Sequence, residues 1–226
     1  MKLNHWMNGK SQKMKNNFIL LRDIIVILIA IISFSIIFVV NFVPLYYWFV
    51  SKFDLASLIN ISKHELMMNY INLLKYLNFF WITKWDRTIK ASYTGLIHFE
   101  EVKILVEINN IIGIIFILLS YFIIRKRIKN KTLWQFIIPL KLISSGLLIF
   151  SSIGFIYFYQ LFILFHKLIF ANNYWIFNPT TDPIIKVLPI DFFEASFILI
   201  VLIAYLFGLI LYFKCRDELK KLSTSS

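Results

Sequence analysis

The chain has 226 residues, 59% of them hydrophobic, with a mean hydropathy of +0.74, only six glycines and a formal net charge of +12. This composition excludes a soluble globular domain and is that of a multi-pass membrane protein, while a single cysteine, Cys215, excludes an internal disulfide and a cysteine-based metal site. In a soluble chain, 24 Lys and Arg against 12 Asp and Glu would suggest a nucleic-acid binder, so the meaning of the charge depends on where it falls.

Residues 1–17 carry Lys2, Lys10, Lys13 and Lys15 without an apolar period and are expected to be a cytoplasmic arm with no fold of its own. Residues 18–43 predict a first membrane helix, since about 20 apolar residues rising about 1.5 Å each cross a hydrocarbon core of about 30 Å. Arg22 and Asp23 at its inner end are expected to pair or snorkel. The run is too long for a signal peptide and lacks a small-residue cleavage site, so it is expected to stay attached.

Residues 44–103 are too charged to cross a bilayer and too apolar for disorder, and are expected to fold on the outer membrane surface. Here Ser62-Lys63-His64-Glu65 reads as a capping box, and Leu66, Tyr70, Leu73, Leu74 and Leu77 fall on one helical stripe that faces lipid or protein. Trp81 to Tyr93 alternates imperfectly and is read as a short hairpin. Residues 104–124 form a second span, with Glu107, Asn109 and Asn110 in its outer turns, and 125–141 a basic inner loop with an interfacial approach around Trp134. Residues 142–165 form a third span, 166–191 a second outer segment, 192–213 a fourth span and 214–226 a polar tail. The inner segments hold 15 Lys and Arg against Asp23, Asp217 and Glu218, and the outer ones hold nine of each sign. The positive excess thus lies on one side, which places both termini in the cytoplasm. The fold class is all-α, integral to the membrane, with four spans and a cap formed by the two outer segments, and the basic surplus requires no nucleic acid.

Of four histidines, His5 lies on the arm and His64 in the exposed capping box. His98 and His166 are expected at one membrane face and similar depth, each beside acids or amides, which points to function over two unrelated polar interfacial groups. If the second helix begins early, His98 and Glu101 share a face and the carboxylate can orient and charge the imidazole; the alternative for Glu101 is an ion pair with Lys103 or Lys90. Asp182 can serve His166 in the same way only if its loop folds back. Asn178-Pro179 and Asp182-Pro183 stiffen that loop. Phe170, Tyr174, Trp175 and Phe177 read by default as interfacial anchors. No metal-ligand spacing or glycine-rich phosphate loop is present, so no cofactor is expected, and two imidazoles with carboxylates and amides suit metal-free proton transfer.

His98-Phe99-Glu100-Glu101-Val102 is similar to a His-Met-x-Asp-Val motif of the bacterial lipoprotein intramolecular transacylases. So is the run Phe165-His166, Asn172-Asn173-x-Trp175-x-Phe177, Pro179, Asp182, Ile185, Pro189 and Phe192-Phe193. The resemblance covers the spans in order, with departures: Glu101 replaces an Asp, Asn178 stands where an Asp is frequent, and no acid precedes His98. It implies four spans under an extracytoplasmic cap in the bacterial plasma membrane, with both histidines at the junction. It further implies transfer of the sn-2 acyl chain of a lipoprotein's diacylglyceryl group to the α-amine of the same N-terminal cysteine, giving a lyso-form. Diacylglyceryl lipoproteins and membrane lipids are then the partners. In that reading His98 and His166 are catalytic, Glu101 and Asp182 support them, and Asn172, Asn173 or Trp175 meets the developing oxyanion. Competing readings are a non-enzymatic partner-binding membrane protein and an acyl hydrolase; a channel or transporter is disfavoured because the spans carry few ionisable groups away from their ends.

Overall fold

The computed structural model describes the backbone of residues 2–224 and side chains from Met14 onward. Its elements are helical, with no strand among the described residues. Four helices are long and apolar enough to cross a membrane: Met14–Val40, Tyr93–Lys129, Leu133–Ile156 and Ile190–Thr224. They match the four expected spans in order, but three run well past the hydrocarbon length. Helix α1 (Lys2–Val40) takes in the backbone of the expected arm, because no proline interrupts it; the side chain of His5 lies outside the described residues. Helix α2 (Val43–Lys52) starts with Pro44 in its first turn, where the missing N–H costs nothing.

Helix α3 (Lys63–Asn78) is capped as expected at Ser62, whose Oγ accepts from the Glu65 N–H at 3.0 Å. The reciprocal half of the box is not made: the Glu65 carboxylate accepts instead from the Thr88 hydroxyl at 2.6 Å. Helix α4 (Tyr93–Lys129) begins eleven residues before the expected span and ends in Lys126, Arg127 and Lys129, whose charge suits a helix C-terminus. The third span is broken. Helix α5 (Ile137–Ile156) follows a 3-10 turn at Leu133–Phe136, and after Tyr157, at φ −114° and ψ 33°, a separate helix α6 (Phe158–Ile169) carries His166. A short helix α7 (Ile184–Val187) precedes α8 (Ile190–Thr224), which continues through the expected tail.

The chain divides into two compact units. One comprises the chain up to Phe34, Ile112–Leu148 and Ile203 onward. Its apolar core includes Ile24, Ile27, Leu133, Phe136, Leu211 and Cys215. Cys215 is fully buried there, not at an interface as an isolated thiol near a span end suggests. Buried Asp23 receives Arg22 Nη2 at 2.6 Å through one oxygen, and Arg127 Nε and Nη2 at 2.9 and 2.7 Å through the other. Arg127 also donates to Gln135 Oε1 at 2.7 Å and lies over the Phe136 ring, so every face of its guanidinium has a use.

The second unit, Ser35–Ile111 with Ile149–Leu202, holds both segments expected on the outer side, 44–103 and 166–191. Its core buries Leu66, Tyr70, Leu73 and Leu77 of the expected α3 stripe, which therefore faces protein. Tyr46 stacks on Tyr70 at 3.8 Å between ring centroids and donates to the Val187 carbonyl at 2.9 Å, fixing α7 to α2; burial raises both phenol pKa values, so the hydroxyls stay neutral. The expected hairpin at 81–93 is absent, because its backbone groups pair with α3 instead of with each other. Asn69 Oδ1 accepts from the Thr88 and Ile89 N–H groups at 2.8 and 3.3 Å, and Trp85 Nε1 donates to the Asn69 carbonyl. Lys103, expected as one partner for Glu101, is buried with its ammonium on the Phe79 and Ile82 carbonyls, 3.6 Å from Glu107 and over the Tyr76 ring.

The segment between α6 and α8 is fastened to the start of α4. Ser92 caps that helix by accepting from the Gly95 N–H at 3.0 Å, and its own N–H donates to Asp182 Oδ1 at 2.7 Å. A carboxylate at a helix N-terminus is favoured by the unpaired N–H groups and the helix dipole. The approach requires glycine: a Cβ on Gly95 would lie 2.5 Å from Asp182 Oδ1.

Two stability outcomes follow. Asp23→Ala leaves the mostly enclosed Arg127 without its counter-charge and should cost about 3 kcal/mol, read as a lower unfolding temperature in detergent. Gly95→Ala should destabilise by about 1–3 kcal/mol through overpacking against Asp182, measured the same way.

Candidate active site

The site is assembled within the second unit from α4, α6 and the loop between α6 and α7. His98 stands one and a half turns into α4, on a face with Glu101 because residues three apart share a helix side. Helix α4 does begin early enough for this pairing. His166 sits in the last turn of α6, where the chain leaves the helix at Phe170. The two imidazole centroids are 5.8 Å apart, and both side chains are largely buried.

Each ring is held by aromatic neighbours. His98 meets Phe170 at 4.8 Å and Phe177 at 5.5 Å edge-on, and Trp175 lies against His166 at 4.9 Å. These side chains, read by default as interfacial anchors, wall the histidine pair. Only their interleaving with the amides hinted at this, since an aromatic at an interface looks the same in sequence whichever way it points.

The polar contacts fix some roles. His166 Nδ1 lies 2.7 Å from the Phe162 carbonyl, which can only accept, so Nδ1 carries the hydrogen and neutral His166 keeps its lone pair on Nε2. Burial lowers the pKa of His166 below its ordinary value, against the opposing pull of that carbonyl. Glu101 Oε2 is 3.8 Å from His98 Nδ1, an ion-pair distance but beyond a hydrogen bond. Both atoms are buried and have no hydrogen-bond partner among the described residues. The other Glu101 oxygen accepts from Asn172 Nδ2 at 2.6 Å.

Asn172 is the hub of the loop. Its Oδ1 accepts from the Tyr174 N–H at 2.9 Å and its carbonyl accepts from Trp175 Nε1 at 3.1 Å. The donors of Asn172 and Trp175 expected to meet an oxyanion thus include an amide N–H and an indole N–H already used to build the site. Asn173 is exposed and contributes its carbonyl to the turn, accepting from the Ile176 N–H at 3.1 Å. Asp182 is buried but serves the N-terminus of α4, not His166: Ser92 N–H and the Thr181 hydroxyl occupy its two oxygens. Gly95, three residues before His98, is the position that sequence reasoning passed over; its signal was a glycine at the capped start of a helix. Among the described residues no cluster of three or more His, Cys, Asp or Glu is placed to hold a metal.

Neutral imidazoles at this spacing, with a carboxylate beside one, can accept a proton from a nucleophile and return it to a leaving group. The comparisons agree with that chemistry. Residues 22–193 match the family described as lipoprotein intramolecular transacylase Lit. No curated protein sequence matches significantly. Among solved structures, the membrane-integral lipoprotein intramolecular transacylase Lit of Bacillus cereus is similar at 28% identity and a TM-score of 0.83, over 94% of this chain and 99% of that one. Two variants of the same B. cereus protein, with one histidine replaced by arginine or by alanine, are similar at 27% identity and the same TM-score. They cover 97% and 96% of this chain and 98% and 99% of theirs. With the four spans in order and a histidine pair at their junction with the loops, the chain belongs to the lipoprotein intramolecular transacylase family of membrane-integral acyltransferases.

Proposed function

We propose that this chain moves the sn-2 acyl chain of a diacylglyceryl-modified lipoprotein to the α-amino group of that lipoprotein's N-terminal cysteine, leaving a lyso-form lipoprotein. The observation that carries the reading is the buried imidazole pair, 5.8 Å between centroids, on helices distant in sequence. The α-amine, with a pKa of about 8, must be neutral to attack an ester, and an imidazole of pKa about 6.5 or lower takes its proton at neutral pH. The glyceryl oxygen needs a proton as it leaves, and the same pair supplies it. Nucleophile and ester belong to one molecule, so the protein's main work is to hold the lipid head in reacting geometry, which contributes up to about 10 kcal/mol. The aromatic walls formed by Phe170, Trp175 and Phe177 suit that task.

In this reading the protein lies in the bacterial plasma membrane with both termini cytoplasmic and the two outer segments capping the site on the outer face. The charge bias of the loops supports that orientation. Cys215, buried in the other unit, takes no part.

The test is mass spectrometry of the N-terminal lipopeptide of a reporter lipoprotein, in a host that otherwise leaves the α-amine free. An N-acyl, monoacylglyceryl cysteine is expected, falling at least about 100-fold on His98→Ala or His166→Ala while membrane insertion is kept. Free fatty acid without an amide would make the protein a hydrolase, and undiminished product in both variants would rule the scheme out. A pH profile gives a second check. His166 must be neutral to accept a proton and its pKa is lowered, so kcat should hold through about pH 6.5 and decline only in more acidic solution. A decline beginning well above pH 7 would contradict it.

A further inference from the structure

Between α3 and α4 the chain makes a reversal whose side chains are unsuited to water. The Ile82 N–H donates to the Phe79 carbonyl at 3.0 Å, closing a β-turn with Phe80 and Trp81 at its tip. Turn tips in water favour Gly, Pro, Asn, Asp and Ser. Here Phe80 is 75% and Trp81 63% exposed, and the Trp81 ring lies 4.8 Å from that of Phe79 and 4.9 Å from that of Phe80. Exposed Lys75 and Lys84 flank the three aromatics.

The level of this turn follows from its partners. Counted back from Arg125, where the basic run of α4 begins, a hydrocarbon core of about 30 Å takes about 20 residues and ends near Leu105. Lys103 therefore stands at the boundary, and Asn110 lies about 7 Å inside it. Both hold the turn. Lys103 Nζ donates to the Phe79 and Ile82 carbonyls, and Asn110 Nδ2 donates at 3.2 Å to Oδ1 of Asn78, the last residue of α3. Asn78 Nδ2 donates at 3.0 Å to Oδ1 of Asn41, just past the end of α1. Hydrocarbon supplies no hydrogen-bond donors, so irregular backbone at this level needs them from protein. The buried ammonium of Lys103, over the Tyr76 ring, meets that need for two carbonyls at once.

We infer that the turn at 79–82 is a lipid-contacting wedge: Phe80 and Trp81 enter the bilayer at the His98 end of α4, and Lys75 and Lys84 reach the phospholipid phosphates beside them. Tryptophan is at home at the boundary between headgroups and acyl chains, and a lysine stem lies along apolar surface while its ammonium stays at the headgroups. The wedge gives the unit that carries both histidines a hold on the membrane besides its spans. Because Lys103 joins the turn to α4, the hold also sets the height of His98, five residues earlier on the same helix and about 7 Å beyond Lys103.

The test is spin labelling of the full-length protein in nanodiscs of phosphatidylcholine and phosphatidylglycerol. Cys215 is fully buried, so a label added to Phe80→Cys or Trp81→Cys reads the turn, and the native protein gives the background. Leu118→Cys, exposed within the span, supplies the lipid reference. Tyr93→Cys, exposed at the first residue of α4 about 15 Å beyond Lys103, supplies the water reference. At each position, collisions of the label with oxygen, which concentrates in hydrocarbon, are compared with collisions with a water-soluble nickel chelate. The oxygen-to-chelate ratio at the turn should approach that of Leu118 and exceed that of Tyr93 severalfold. A ratio equal to that of Tyr93 puts the turn in water and overturns the wedge. Few collisions with either reagent would mean that protein covers the rings, as a second copy of the chain could, and would overturn it as well. Each variant is scored only where its circular dichroism matches the native protein, and either tip position decides alone if the other fails to fold.

Discussion

The contact between the Asp182 carboxylate and the N-terminal turn of α4 makes one site out of two distant stretches of chain. Through the Ser92 N–H it fixes the loop after α6 against the helix that carries His98. That docking brings Phe177 against His98 and lets Asn172 reach Glu101. Local helix formation places His98 with Glu101, and α6 places His166, but neither helix on its own brings Asn172, Trp175 and Phe177 to both rings. A charge at a helix end is a strong and directional constraint in surroundings poor in water, and here the absence of a Cβ at Gly95 allows it.

The same economy of buried polar contacts recurs elsewhere in the chain. In an apolar setting a lone polar or charged group is costly, and several buried ones here have dedicated partners. Asp23 is shared by two arginines, Lys103 by two backbone carbonyls, and Asn78 bridges Asn41 and Asn110 by side-chain amides. The buried side-chain atoms left without a hydrogen-bond partner among the described residues are Arg87 Nε, His98 Nδ1, Glu101 Oε2 and Glu107 Oε1, and two of these face each other in the site.

Much of this was legible in the sequence where the determining interactions are local. Hydropathy located the four spans, Ser62 announced its cap, and the spacing of His98 and Glu101 predicted their shared face. Element ends were less legible, because hydropathy reports the hydrocarbon thickness, whereas a helix continues until something stops it; hence α8 runs through a polar tail. The break at Tyr157 carried no proline to betray it. For Asp182 the sequence offers His166 only on condition that the loop folds back, whereas its long-range partner, the Ser92 N–H, lies ninety positions earlier and is selected by docking alone. The loop after α3 reads as a hairpin in the sequence for a related reason: alternation measures which side chains are apolar, but Asn69 decides where the Thr88 and Ile89 N–H groups go.

The dependence of the site on Asn172 also bears on how long a molecule of this protein remains competent. Asparagine is among the thermolabile side chains, its amide open to hydrolysis over time. Conversion to aspartate would exchange a donor for an anion beside the Glu101 carboxylate, at a separation now 2.6 Å, turning attraction into repulsion. The chain would stay folded in its membrane with both histidines intact, yet the support behind one would be pushed away. Loss of this one amide would thus unmake the support of Glu101 without touching either histidine.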